Sequence, residues 1–150
     1  MRTIPFRKDL FPAFKAMLSE SKSEFRQSWA RHISGVYRQG AKSSNGASNF
    51  AVLEKGRLAA VFSTRREVQA FVLYFLMIKR EFQGKGIGTA IVRKVELMAK
   101  KAGASFIRLD AYPGKKAILF YKKMGFKYGG RVKYYEEAGD DQRFFYKKIK

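Results

Sequence analysis

An unbroken apolar run, Val72-Leu-Tyr-Phe-Leu-Met-Ile78, ends just before three glycines at alternate positions, Gly84, Gly86 and Gly88. The run has the length of a buried strand and falls far short of a membrane span. Beyond the glycines, Ile87, Ile91, Val95, Met98 and Ala102 recur at steps of three and four, and Gly103 supplies a stop. That spacing predicts an amphipathic helix, so the glycines occupy a strand-to-helix turn. The first N–H groups of a helix lack intrahelical partners and lie at the positive end of its dipole. A turn without side chains at that point can cradle an anion such as a diphosphate.

Spacing narrows the kind of cradle. A P-loop needs Ser or Thr directly after its lysine, but Lys85 is followed by Gly86. The dinucleotide pattern G-x-G-x-x-G needs a third glycine at position 89, which is Thr89. What fits is Gln83-x-x-Gly86-x-Gly88, which resembles the Q/R-x-x-G-x-G/A motif of the GNAT superfamily of acyl-CoA-dependent N-acyltransferases. A second stretch about 30 residues on, Ala117-Ile-Leu-Phe-Tyr-Lys-Lys-Met-Gly-Phe126, is similar to that family's A-x-x-F/L-Y-x-x-x-G-F segment. One departure is Gly114, at a position where the family often has an Asn that contacts the pantetheine arm.

The rest of the chain reads as one domain over residues 1–150. Residues 2–7 suit a short edge strand, with Asp9 as the cap of a helix bearing Leu10, Phe11, Phe14, Met17 and Leu18. Ser21-x-x-Glu24 looks like a capping box for a second helix carrying Phe25, Trp29, Ile33, Val36 and Tyr37 and ended by Gly40. Ala41–Asn49 reads as a mobile loop, rich in Ser, Asn and Gly. A hairpin follows, Phe50–Leu53 and Leu58–Phe62 around Glu54-Lys55-Gly56. After the glycine turn and its helix come a strand at Phe106–Ala111 and a helix at Lys115–Met124. Two last strands, about Lys127–Tyr135 and Arg143–Ile149, enclose an acidic turn. This order, β-α-α-β-β-β-α-β-α-β-β, matches the GNAT arrangement. The resemblance implies an α/β (α+β) fold: a mixed, mostly antiparallel central sheet of about seven strands flanked by about four helices.

The resemblance also implies a chemistry. An acetyl group would pass from acetyl-CoA to a primary amine by direct transfer through a tetrahedral intermediate. Backbone groups of Met77 and Ile78 would align the acyl group. Gln83, Gly84, Lys85, Gly86, Ile87, Gly88 and Thr89 would hold the cofactor. Tyr121 would protonate the departing thiolate, since a phenol with a pKa near 10 keeps its proton at neutral pH. Where several members carry a glutamate base, this chain has Val72, and no carboxylate lies between Ala70 and Ile78. Glu67 and Asp110 are the nearest carboxylates in sequence, and neither is assigned as base. Glu136, Glu137, Asp140 and Asp141 are acceptor-side candidates: either they form a local negative patch that admits a cationic amine, or they are an ordinary solvated hairpin loop, or the acceptor is itself anionic and steered by the basic surface.

Composition sets the outer limits. The chain has no cysteine and one histidine, His32, which excludes thiolate and multi-histidine metal sites. No secretory signal or 18-residue apolar run is present, so the sequence reads as cytoplasmic. Its 32 Lys+Arg against 12 Asp+Glu give a formal charge of +20. A field of that size attracts polyanions, which keeps open a second reading: a binding protein of the same fold that docks on nucleic acid or the ribosome with weak or lost catalysis. Monomer and dimer are both compatible with the sequence.

Overall fold

The computed structural model describes residues 1–21, 27–111, 115–133 and 141–149. Seven strands, Arg2–Pro5 (β1), Ser48–Glu54 (β2), Arg57–Arg66 (β3), Ala70–Ile78 (β4), Phe106–Ala111 (β5), Lys127–Lys133 (β6) and Asp141–Lys148 (β7), form one sheet in the order β1-β2-β3-β4-β5-β7-β6. The helices are Phe11–Glu20 (α1), Gln27–Arg38 (α2), Ile87–Lys101 (α3) and Lys115–Lys123 (α4). The β4–β5 pair is parallel, whereas β1–β2, β2–β3, β5–β7 and β6–β7 are antiparallel. This is the mixed, mostly antiparallel sheet with four helices expected from the sequence. Contacts divide the chain into two compact units, Met1–Arg65 with Phe75–Gly88, and Arg66–Tyr74 with Thr89–Lys150.

In the first unit an aromatic cluster seats α1 and α2. Phe6, Phe14 and Tyr37 are all buried, with the Phe14 and Tyr37 rings 4.4 Å apart and Phe6 edge-on to Tyr37 at 4.8 Å. Such pairs favour edge-on or tilted geometry because the ring face is negative and its edge positive. Asp9 does not cap α1 as expected. It lies inside a 3-10 turn, Lys8–Leu10, with its carboxylate forked on Arg7 at 2.9–3.0 Å, and α1 starts at Phe11 without a side-chain cap. Pro12 still sits in the first turn, where the missing N–H costs nothing. The capping box at Ser21–Glu24 falls largely outside the described residues, and α2 is described from Gln27.

Ala41–Asn49, read as a mobile loop, is instead tied down. Ser43 N–H donates to Ala47 O, Gly46 N–H to Ser43 O and Asn49 N–H to Ala41 O, at 2.7–3.0 Å, and β2 already begins at Ser48. Asn49 is fully buried and donates from Nδ2 to the carbonyls of Gly40 (2.8 Å) and Val36 (3.3 Å) at the end of α2. Its Oδ1 lies 2.8 Å from the Ser63 hydroxyl, which lies 2.7 Å from that of Tyr37. An amide oxygen only accepts, so Ser63 gives its proton to Asn49 and Tyr37 donates to Ser63. Burial pushes the Tyr37 hydroxyl above its ordinary pKa, with Ser63 opposing the shift. This network explains why β3 runs four residues past Phe62 into polar sequence: Ser63 and Thr64 are buried.

The hairpin between β2 and β3 closes on two residues in left-handed backbone, Lys55 (φ 49°) and Gly56 (φ 78°), with Glu54 paired to Arg57. That geometry matches the right-handed twist of the strands.

In the second unit, paired strand positions show the same face of the sheet. Ile107 pairs with Lys147 and Leu109 with Phe145, and Ile107, Leu109 and Phe145 are buried under the helices. Lys147 Nζ reaches Glu96 of α3 at 2.6 Å and the carbonyl of Met124, just past α4, at 2.8 Å. Both helices therefore lie on that one face.

Replacing Asn49 with Ala would strand two buried carbonyls and the Ser63 hydroxyl. We expect a loss of about 2–4 kcal/mol in stability, at about 1–3 kcal/mol per orphaned group with partial relaxation. Urea unfolding followed by circular dichroism measures it; a change under about 1 kcal/mol would show the network to be incidental.

Candidate functional site

The turn after β4 is built by a chain of short-range constraints. Lys79 N–H donates to Ala59 O at 2.8 Å, which fixes where β4 leaves its neighbour β3. A 3-10 turn, Arg80–Phe82, follows, with Phe82 N–H on Lys79 O (2.8 Å) and Gln83 N–H on Arg80 O (3.2 Å). Gln83 then turns its side chain back, and Nε2 donates to the Ile78 carbonyl at 3.0 Å. Gly84 and Gly86 adopt φ of +74° and +81°, a region that costs other residues about 1–2 kcal/mol. A Cβ built on either would meet nothing within 4 Å, so the two glycines are there for backbone conformation and the space above them is open. Helix α3 begins at Ile87, and Ile87 and Gly88 are buried. The first N–H groups of α3 have no intrahelical acceptor, and the open left-handed turn leads into them. The residues present fit a diphosphate.

Charge around the turn is arranged by one carboxylate. Glu81 Oε1 accepts from Lys79 Nζ at 3.0 Å and forms a short hydrogen bond with the Arg57 guanidinium. Lys79 first and Arg57 second hold the exposed Glu81 below its ordinary carboxylate pKa. Beneath them Phe82 is nearly buried, and the Arg57 guanidinium and Lys85 ammonium lie 5.4 and 5.6 Å from its ring centre. Lys85 has no carboxylate partner among the described residues, so its charge remains available to an anion at the turn. The sequence reading missed Arg57, Lys79, Glu81 and Phe82. A lone acid within the cationic run Lys79–Lys85 was the available signal.

The structure thus gathers Met77, Ile78, Gln83, Gly84, Lys85, Gly86, Ile87 and Gly88 in the first unit, with Thr89 next along α3. Tyr121 belongs to the second unit, on the buried side of α4. Its ring meets Phe120 and Phe126 edge-on at 5.1 and 5.7 Å, and Phe126 N–H closes the end of α4 on the Tyr121 carbonyl at 3.0 Å. Burial alone raises its pKa above the ordinary phenol value, and its hydroxyl has no hydrogen-bond partner among the described residues.

Val72 is buried, and beside it in register on β5 stands Arg108. Glu67 and Asp110, the two nearest carboxylates in sequence, are both engaged by that guanidinium, at 3.1 and 2.8 Å. On the sheet face away from α3 and α4, Phe106, Arg108, Phe144, Tyr146 and Lys148 line an open apolar hollow of about 390 Å³. Of the acidic quartet, Glu136, Glu137 and Asp140 lie outside the described residues; Asp141 opens β7 and pairs with Lys133. Gly114 also lies outside them.

If the turn holds a diphosphate, Gly86→Ala should weaken coenzyme A at least about tenfold by calorimetry. The same change should cost about 1–2 kcal/mol of stability, from the left-handed backbone alone. Unchanged affinity in a folded variant would remove the turn from the binding site.

Comparison with known proteins gives one consistent result. Residues 14–126 match the Acetyltransferase (GNAT) family. A segment of 64 residues, 42% of this chain, is 38% identical to an uncharacterized N-acetyltransferase of Methanocaldococcus jannaschii; the match spans 27% of that relative. Among solved structures, the ribosomal-protein-S18-alanine N-acetyltransferase from Escherichia coli superposes with a TM-score of 0.77 at 18% identity, over 99% of this chain and 93% of that one. An aminoglycoside 6'-N-acetyltransferase complexed with coenzyme A gives 0.75 at 15% identity, over 100% and 98%. With the family match covering most of its length, the chain belongs to the GNAT acetyltransferase family.

Proposed function

We propose that this protein transfers an acetyl group from acetyl-CoA to a primary amine. The observation that carries the reading is the pair of left-handed glycines, Gly84 and Gly86, opening α3 directly beyond β4, with Lys85 between them. Acetyl-CoA supplies an activated thioester and a diphosphate for the turn. Lys85 and the first amides of α3 bind the diphosphate. Gln83 holds the end of β4 in place through Ile78 O, so that the backbone of Met77 and Ile78 meets the acyl group in a fixed position. The amine attacks the carbonyl carbon, the C–N bond forms, the C–S bond breaks, and the thiolate takes its proton from the Tyr121 hydroxyl, which regains one from solvent as the new amide nitrogen gives one up. That hydroxyl stays protonated throughout the neutral range because burial raises its pKa. With Val72 in place of a base, and Glu67 and Asp110 occupied by Arg108, the ammonium proton leaves through water.

Two features favour an acceptor rich in N–H donors. The acidic residues Glu136, Glu137, Asp140 and Asp141 cluster just before and at the start of β7. Beside them Gln142 is 5% exposed, and its Oε1 has no hydrogen-bond partner among the described residues. An ammonium substrate would satisfy that oxygen once the side chain turns outward to meet it. The solved relatives are named for N-acetyl transfer to a ribosomal-protein alanine and to aminoglycosides, both amine acceptors.

A thermal-shift assay tests the cofactor: acetyl-CoA at 100 times its Kd should add about 2.7 kcal/mol of stability. An acceptor screen that reads free thiol tests the reaction. Tyr121→Phe keeps the ring packing, so the Kd for acetyl-CoA should stay within about twofold while turnover falls about 100-fold or more. Wild-type turnover would reassign the residue to the core. Gln142→Leu should raise KM for the acceptor with the Kd of acetyl-CoA unchanged and stability equal or higher, because an orphaned buried acceptor is removed. Reversal of the acidic quartet to lysine should raise the same KM, and added salt should shrink the difference. If both variants keep the wild-type KM for every accepted amine, the acceptor does not bind there.

A further inference from the structure

Helices α3 and α4 present the same arrangement to solvent. On α3, Arg93 and Lys94 are followed by Leu97, three residues beyond Lys94, and then by Lys100 and Lys101, starting three residues beyond Leu97. On α4, Lys116 precedes Leu119 by the same gap, and Lys122 and Lys123 follow it likewise. Each leucine is exposed, Leu97 by 62% and Leu119 by 65%. At 3.6 residues per turn the positions three, four and seven steps apart share a side, so each helix carries a cationic stripe about 10 Å long with a leucine at its middle.

Two observations make the stripes one surface. Lys147 Nζ touches both helices, through Glu96 of α3 and the Met124 carbonyl beyond α4, so both cover the same face of the sheet and turn their outer sides to solvent. The two helices contain eight basic residues and a single acid, Glu96, which Lys147 already neutralises at 2.6 Å. No carboxylate of either helix is left to offset the stripes.

We propose that the outer side of α3 and α4 docks the phosphate backbone of a nucleic acid. The occupant follows from charge complementarity. A surface of lysines and arginine with no opposing carboxylate gains most from a polymer with regularly spaced phosphates, through release of condensed counterions. One exposed leucine per helix offers too little apolar area for a bilayer surface, which needs a broad apolar face. No aromatic side chain is exposed on these stripes to stack on a base, so the contact reads phosphate and not sequence. The inference does not rest on the acyl-transfer reading.

Fluorescence anisotropy with labelled RNA and DNA duplexes of about 20 base pairs, over a salt series, tests it. Lys100→Gln, Lys101→Gln, Lys122→Gln and Lys123→Gln combined should weaken duplex binding at least about tenfold. The slope of log affinity against log salt should become shallower by about 3–4, near 0.9 per lost phosphate contact. Those lysines also complement the helix dipoles, so a second variant removes Arg93, Lys94 and Lys116 by the same replacement. In α4 the loss of a cation from the first turn favours the helix, and binding should again fall several-fold. A control with Arg2, Lys15, Lys42 and Lys55 changed to Gln, the same loss of charge elsewhere, should stay within about twofold. Equal weakening by the control would overturn the proposal in favour of the general field of the protein. So would tight binding to phosphatidylserine vesicles that Leu97→Gln with Leu119→Gln abolishes while duplex binding is absent. Binding to RNA and DNA alike supports a phosphate contact, and binding to RNA alone supports a surface fitted to A-form geometry.

Discussion

A helix cannot satisfy its own first amides, and the proposed cofactor site of this protein depends on that deficit. What the chain adds is a way of leaving the amides open. Gly84 and Gly86 bend the backbone through left-handed conformations with no side chain above them. The strand that delivers the turn is anchored by Lys79 N–H on Ala59 O, and Gln83 folds back on Ile78 O. The glycines therefore work between two fixed ends. A turn of the same composition on a loose strand would lose additional entropy on ordering around a diphosphate.

Electrostatics near the turn shows how a strongly basic protein avoids an undirected field at its site. Four cations, Arg57, Lys79, Arg80 and Lys85, lie on or against this short segment, and Glu81 occupies two of them. Lys85, placed between the two left-handed glycines, is left to meet an anion. In the second unit Arg108 plays the converse part, a cation that engages both Glu67 and Asp110. Exposed ion pairs of this kind contribute little to stability, about 0–1 kcal/mol, and their effect is on where charge is available.

The sequence revealed what local chemistry determines. Left-handed turns need glycine, buried strands need apolar runs and amphipathic helices need the 3.6 period, so β4, the glycine turn, α3, β5 and α4 were legible with boundaries close to those observed. The rest was hidden because it depends on partners far along the chain. Ser63 and Thr64 lie beyond the strand expected to end at Phe62 because they are polar, but Tyr37 and Asn49 make Ser63 a core residue. Asp9 looked like a cap because nothing local shows that Arg7 claims it. At the site, Gly84, Gly86 and Gln83 announced themselves, whereas Arg57 and Glu81 are 24 positions apart and meet only through the fold.

The hairpin joining β2 to β3 has a consequence beyond the sheet. Arg57 is the first residue after its two-residue turn, held opposite Glu54, and the same side chain reaches Glu81 and Phe82. Side chains on a strand alternate faces, so a slip of one residue there would swing Arg57 to the wrong side. An exposed tight turn is ordinarily the place where a chain accepts insertions, tags or permuted ends. Here its length acts as a gauge block for the machinery beyond β4, and the tip of the hairpin is the wrong place to lengthen this protein.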